Sequence, residues 1–160
     1  MMPSSDAEPA VSIATLATPI GRLSVAATAR AVRAVRFGGP PSRGPRSSLL
    51  DRALRQLEAY FAGRLPRFDL PLDPAGTTFQ KRVWRELGRI PFGVTVTYGE
   101  LAARVGSPKA SRAVGGANHR NPIAIVIPCH RVVGANGALT GYASGIERKA
   151  WLLEHEQRGK

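Results

Sequence analysis

The 160-residue chain contains a single cysteine, Cys129, and that scarcity excludes several classes of protein. No internal disulfide can form, which fits a reducing compartment, and no structural zinc site built on several thiolates is available. The three histidines are scattered and no pair has ligand spacing, so neither a metal nor another cofactor is expected. Long apolar runs are also missing. The longest near the cysteine, Ile123 to Ile127, would cross only a fraction of a bilayer, so no membrane partner is expected. The opening MMPSSDAEPA lacks a basic stretch followed by an apolar one. No secretory signal is therefore expected, and the expected location is the cytoplasm, on the nucleoid when DNA is bound. No internal repeat is present.

Acidic residues are few, 11 against 23 Lys and Arg, for a net charge of +12. The excess is uneven: residues 1–75 carry ten Arg against six Asp or Glu (+4), and residues 76–160 carry thirteen Lys or Arg against five Glu (+8). A basic half of this kind suggests a polyanionic partner, nucleic acid first, although basic surfaces also serve solubility. With 43% hydrophobic residues the chain can bury a core and is not a disordered tail.

The expected organisation is a disordered stretch over 1–10, a first unit with linker over 11–75, and a second unit over 76–160. Val11 to Ala17, Arg22 to Thr28 and Ala31 to Phe37 read as three short strands of an antiparallel meander, with turns at Pro19-Ile20-Gly21 and Ala29-Arg30. Residues 38–45 read as a loop. A helix follows from Ser48 to Gly63, capped by Ser48, with Leu50, Leu54, Leu57 and Phe61 on one stripe. Leu65 to Gly76, with three prolines, reads as a crossing linker.

Thr77 and Gln80 have capping-box spacing and open a helix whose buried face is Phe79, Val83, Trp84 and Leu87, ended by Gly88 and Pro91. Thr97 to Glu100 repeats the box and opens a short helix that stops at Gly106. Ser107-Pro108 then supplies an N-cap and first-turn proline for a helix over KASRAVGGAN. Helix, glycine turn, helix is the helix-turn-helix pattern. IAIVI, short, branched and bounded by prolines, reads as a buried strand that delivers Cys129 at its end. IERKAWLLEHEQ closes the chain as a helix with Ile146, Ala150 and Leu153 facing inward.

The second helix of the pair is bare. Its outward positions read as Ala113, Gly115, Gly116 and Ala117, with Arg112 the one large group. Two adjacent glycines cost about 1 kcal/mol each against alanine, so something compensates. Two readings stand: tight packing against another helix, or close approach to a DNA groove with contacts to its sugar-phosphate walls.

Cys129 sits between Pro128 and His130-Arg131. A lone cysteine is ordinarily a small buried hydrophobe. Here cationic neighbours favour the thiolate, Pro128 and the strand end put the thiol at a rim, and Glu154 or Glu156 can orient His130 in a Cys-His-carboxylate relay. His119 and His155 read as surface or cap histidines.

The segments TFQKRVWRELGRIPFGVTVTYGELA, SRAVGGANHRNP and PCHRVVGANGALTGY together resemble the O6-alkylguanine-DNA alkyltransferases, the methylated-DNA–protein-cysteine methyltransferases, over residues 77–156. The first 75 residues match in outline. The resemblance implies an α+β fold, a small antiparallel sheet-plus-helix (RNase H-like) unit followed by a winged helix-turn-helix active unit. It implies that Cys129 accepts the alkyl group in a single irreversible turnover, that His130 deprotonates it through a water, and that Glu156 is the relay carboxylate. It further implies Tyr98 as nucleotide contact and proton donor, Asn121 as brace of the active-site turn, and Lys149 near the departing oxygen. Arg112 matches the arginine finger that fills the gap of a flipped base, with Ala113, Gly115, Gly116, Ala117, Tyr98 and Arg131 on the DNA side. Tyr142, Ala143, Ser144 and Val132 match the guanine pocket; alanine at 143 removes the hydroxyl some relatives carry there. The implied partner is double-stranded DNA bearing O6-alkylguanine, with O4-alkylthymine a further substrate to test, bound by a monomer or by a cooperative assembly. The readings set against this one are a non-catalytic DNA-binding regulator and a cysteine hydrolase, the second without an oxyanion-hole signature.

Overall fold

A computed structural model describes residues 10–160. The disorder expected over 1–10 thus falls, Ala10 apart, outside the described residues. The architecture is α+β. Strands β1 (Ser12–Thr18), β2 (Gly21–Ala27) and β3 (Val32–Phe37) form an antiparallel meander in the order β1-β2-β3. Thr18 pairs with Gly21 across Pro19-Ile20, and Gly21 takes φ +123°, a conformation that suits glycine. Leu23, Val25, Val32 and Val35 are buried under helix α1 (Ser48–Phe61), which presents Leu50, Ala53, Leu54, Leu57 and Tyr60 to them. Each fully buried leucine of that stripe contributes about 2 kcal/mol. The cap of α1 is Ser47, not Ser48: Ser47 Oγ accepts from Leu50 N at 3.1 Å. Phe61, placed on the stripe by periodicity, is partly buried, and it is its neighbour Tyr60 that is buried.

The proline-rich segment after α1 extends the sheet. Val32 N donates to Pro71 O at 2.8 Å and Asp73 N to Val32 O at 2.9 Å, so residues 71–73 run along the outer edge of β3. Further along the same edge, Val35 N donates to Pro122 O at 3.0 Å and Ala124 N to Val35 O at 2.9 Å. The chain leading to Cys129 is therefore anchored on the first sheet.

Helix α2 (Thr78–Leu87) begins with a full capping box, Thr77 Oγ1 accepting from Gln80 N and Gln80 Oε1 from Thr77 N. Its Val83, Trp84 and Leu87 are buried, as the pattern predicts. Strand β4 (Val96–Thr97) leads directly into α3 (Tyr98–Arg104), where Thr97 caps Glu100 N at 3.1 Å. Helix α4 spans Ser111–His119, so it starts later than Ser107-Pro108 predicts. Ser and Pro are favoured at the first two positions of a β-turn as well as at a helix start. Here Ala110 N bonds back to Ser107 O at 2.8 Å and closes that turn instead. Trp84 Nε1 donates to Ala117 O at 2.8 Å and ties α4 to α2.

IAIVI is not a strand. Only its first residues pair, with β3; Ile125 then adopts φ +73° and Ile127 N bonds to Ile123 O at 3.0 Å. The cause is Asn121, whose Oδ1 accepts from Ile123 N at 3.0 Å and whose Nδ2 donates to Ile127 O at 2.7 Å. One side chain satisfies the backbone groups a ladder would have used, and the segment folds over. The apolar run buries itself as a compact turn. Cys129–Arg131 continue as one 3₁₀ turn into β5 (Val132–Val133), which pairs parallel with β4.

Helix α5 (Ile146–Arg158) is rotated from the expected face. Ile146 is 44% exposed and Leu153 partly so, while Lys149, Leu152, His155 and Glu156 point inward. Apolar periodicity misled here because the face turns toward polar partners.

Candidate active site

The site is assembled where the 3₁₀ turn meets α5. His130 is fully buried, and its Nε2 lies 2.7 Å from Glu156 Oε2. A nitrogen facing a carboxylate carries the proton, so Nε2–H donates and Nδ1 is left as the acceptor. Nδ1 has no protein partner among the described residues. Glu156, the relay carboxylate of the resemblance, thus meets His130, whereas Glu154 lies exposed, with Arg158 at 3.8 Å.

Glu156 is the hub of the site. Its Oε2 accepts from Tyr60 Oη at 2.6 Å and Arg131 Nη2 at 3.0 Å; its Oε1 accepts from Arg131 Nε at 2.8 Å and Gly93 N at 3.3 Å. Burial alone would raise the carboxyl's pKa, but the hydrogen bond from His130 and the hydrogen bonds and charge of Arg131 outweigh it and hold the group well below the usual carboxylate range. For His130 burial dominates over the attraction of Glu156 and pushes the imidazole below its ordinary value, so it is neutral and able to take a proton.

Cys129 is 7% exposed, buried but not sealed. Burial raises its pKa, opposed by a hydrogen bond from Asn121 and by the charge of Lys149. Lys149 is itself buried, donates from Nζ to Thr140 O at 2.7 Å, and is pushed below its usual range by burial. The cation that favours the thiolate is therefore Lys149. Arg131, expected beside the thiol and on the DNA side, turns away: it is 6% exposed, bound to Glu156, and donates from Nη1 to Ile90 O at 2.6 Å. An arginine next to a buried carboxylate has no reason to seek solvent.

Around the thiol, Asn118 Nδ2 donates to Cys129 O at 3.4 Å while its Oδ1 is unpaired among the described residues, as is the hydroxyl of buried Tyr142. Val132 is fully buried in β5, Ala143 is exposed and Ser144 half-buried. Gly145 N bonds to Tyr142 O at 2.9 Å and closes this loop onto the start of α5. Tyr98 opens α3 with its hydroxyl 3.3 Å from Thr140 O, and the Lys149 ammonium stands 5.9 Å from its ring centre.

On α4, Arg112, Ala113 and Gly116 are exposed and Gly115 is half-buried, but Ala117 is 4% exposed, held inward under Trp84. Among the described residues, a methyl group built on Gly116 would meet nothing within 4 Å, and one on Gly115 only the Tyr98 ring at 3.7 Å. Packing within the protein thus does not demand either glycine. His119 is exposed as expected, but His155 is not a surface residue: it stacks on Trp151 at 4.8 Å and its Nε2 bonds to Tyr60 O at 2.7 Å.

Sequence reasoning missed Tyr60 and Asn118. A signal for the first was present, since a phenol on an apolar stripe must find a hydrogen-bond partner. Behind the thiol, a groove of about 1110 Å³ is bounded by Phe68, Trp84, Phe92 and residues 125–128, and Cys129 does not line it. Among the described residues no helix is long and apolar enough to cross a membrane, and no three His, Cys, Asp or Glu cluster as metal ligands do.

Residues 78–158 match the family described as 6-O-methylguanine DNA methyltransferase, DNA binding domain, and residues 11–74 match its ribonuclease-like domain. A methylated-DNA–protein-cysteine methyltransferase of Methanosarcina acetivorans is 53% identical over 146 residues, covering 87% of this chain and 94% of that protein. The Mycobacterium tuberculosis protein of the same name is 50% identical over 149 residues, covering 89% and 90%. The crystal structure of M. tuberculosis O6-methylguanine methyltransferase superposes with TM-score 0.86 at 46% identity, covering 94% of this chain and 95% of that one. The structure of M. tuberculosis OGT in complex with DNA superposes with TM-score 0.85 at 49% identity, covering 92% and 93%. By sequence and by fold alike, the chain belongs to the 6-O-methylguanine DNA methyltransferase family.

Proposed function

We propose that the protein repairs DNA by transferring the alkyl group of O6-alkylguanine to Cys129, once per molecule. The observation that carries this is the line Cys129, His130, Glu156: a marginally accessible thiol next in sequence to a neutral imidazole that a buried carboxylate orients. The alkyl carbon is saturated, so it needs in-line attack by a soft nucleophile, which a thiolate supplies. The thiol proton passes through a water to His130 Nδ1, the Sγ–C bond forms as the C–O6 bond breaks, and the departing guanine takes up a proton. Tyr98 and Lys149 are assigned as the donors that support that departure. The product is a thioether with no carbonyl for water to attack, so the cysteine is not regenerated.

A stacked base cannot present O6 to a buried thiol, so the nucleotide is extruded, at a cost of a few kcal/mol. The bare face of α4 supports a partner that comes close, since neither Gly115 nor Gly116 is needed for internal packing. Arg112, which is exposed, is assigned to fill the stack, and the basic second half is assigned to neutralise phosphates. The pocket for the flipped base is assigned to Tyr142, Ala143, Ser144 and Val132, and the bound species is taken as a monomer.

The test is a stoichiometric mixture with an oligonucleotide carrying O6-methylguanine, followed by peptide mapping. A methyl mass on the Cys129 peptide, and no turnover beyond one equivalent, is the expected result; an unmodified peptide rejects the reading. Arg112→Ala is expected to slow transfer from duplex about tenfold or more, with little effect on free O6-benzylguanine. Equal losses on both substrates would remove the case for a side chain inserted into the stack.

A further inference from the structure

The structure assigns to Tyr60 a part in thiol activation: we propose that it is a positioning residue that acts on His130 through Glu156, and that this hydroxyl is what the first region of the chain contributes to the chemistry of the second. The proposal deepens the alkyl-transfer reading and rests on it. Tyr60 lies on α1, 96 positions from the carboxylate it meets. Its ring is wedged against Phe61, Phe68, Phe92 and His155, with centroids 5.3, 5.5, 6.3 and 5.2 Å away, and its carbonyl accepts from His155. The hydroxyl is thus delivered to a fixed place. Burial, then the charge of Glu156, holds its pKa well above the ordinary phenol value, so at working pH it is a neutral donor.

Three donors converge on Glu156 Oε2: Tyr60 at 2.6 Å, His130 at 2.7 Å and Arg131 at 3.0 Å. Gly93 N and Arg131 Nε occupy Oε1. The other titratable groups around the pair are Cys129, Lys149 and Tyr142, with His155 behind Tyr60. A donor on Oε2 does two things to the imidazole. It aims the oxygen at Nε2, and it draws off negative charge that would otherwise stabilise the imidazolium. Tyr60 therefore keeps His130 less basic than Glu156 and Arg131 alone would make it, and a neutral imidazole is the form that accepts the thiol proton.

The sign follows. Without the hydroxyl, His130 retains its proton to higher pH, so the acid limb of the transfer rate moves upward, by about one pH unit for a change of ~1.4 kcal/mol. The experiment uses the full chain with Tyr60→Phe, Glu156→Gln and the pair combined. Single-turnover transfer from O6-methylguanine duplex is measured against pH, and His130 is followed in parallel by imidazole NMR without substrate. Tyr60→Phe keeps every ring contact. Difluorotyrosine at position 60, a stronger donor of the same shape, provides the opposite perturbation and is expected to move the limb downward. The expected result is an upward shift for Tyr60→Phe in both readouts that vanishes in the Glu156→Gln background. An unchanged limb and unchanged imidazole titration overturn the proposal, as does an equal loss of rate in both backgrounds, which is the mark of packing alone. Absence of transfer by the unsubstituted protein, with the imidazole shift present, overturns the alkyl-transfer reading and leaves the Tyr60–Glu156–His130 linkage standing.

Discussion

Cys129→Ser is expected to abolish alkyl transfer, with a loss of at least about 10³-fold, or ~4 kcal/mol of barrier, while binding a damaged duplex within about twofold of the unsubstituted protein. The substitution changes one atom at a site that is 7% exposed and leaves His130, Glu156 and Arg131 in place. What it removes is the ionisable, polarisable sulfur. A serine hydroxyl is far less acidic, and the neutral imidazole of His130 has no carbonyl chemistry to assist: attack falls on a saturated carbon, where softness of the nucleophile decides the rate. Retained binding follows because the groups proposed to meet DNA, Arg112 and the bare face of α4, are not altered by the substitution. The check is a single-turnover assay beside a binding titration at one stated salt concentration. Transfer at a tenth of the original rate or more would mean that another residue is the acceptor.

Glu156→Ala is the second large effect, and it acts on the fold as well as the chemistry. The carboxylate receives five hydrogen bonds, from Tyr60, His130, Gly93 and Arg131. Its removal leaves the Arg131 guanidinium buried without its counter-ion and His130 without its orienting partner. Breaking a buried pair in this way costs about 3–5 kcal/mol. Denaturation by urea near pH 7 should show that loss as a lower midpoint; a change under about 1 kcal/mol would show that the network adds nothing beyond what water supplies.

The same network sets the pH dependence of stability. The folded carboxyl of Glu156 is depressed from 4.5 and the folded imidazole of His130 from 6.5. For both groups the unfolded chain binds protons first as pH falls, so their contribution is complete above about pH 6.5 and is lost progressively below it. Cys129, raised from 9.0, works in the other direction: its contribution is present below that pH and is lost on the alkaline side. Stability that stayed flat between pH 7 and pH 4 would contradict a neutral buried His130 and an ionised Glu156 together. In Glu156→Ala the part of the acid decline that lies below about pH 4.5 should disappear.

The elements were legible where a local pattern sufficed. The three strands, the capping box at Thr77 and the α2 face of Val83, Trp84 and Leu87 follow from period, caps and turn residues, because each depends on neighbours within a turn or a hairpin. Boundaries failed where two local solutions compete. Ser107-Pro108 suits a turn as well as a helix start, and only the bond from Ala110 N decides between them. Ile123 to Ile127 has strand composition, yet the side chain of Asn121 satisfies the backbone groups a ladder would use.

The sequence by itself determined which thiol is proposed as the nucleophile and which imidazole follows it in the chain. One cysteine beside one histidine, within motifs specific to a single family, leaves little freedom over which atom reacts. Tertiary structure alone decided which charges count. Arg131 adjoins the thiol in the chain yet is bound to Glu156, and Lys149, twenty positions on, is the cation that favours the thiolate. Tyr60 reaches the relay from another part of the fold, and α5 turns Lys149 and Glu156 inward where its apolar residues had suggested a different face. The physical reason is common to all three. A buried charge is stable only where complete hydrogen-bond partners converge, and those partners come from segments that periodicity and spacing treat as unrelated.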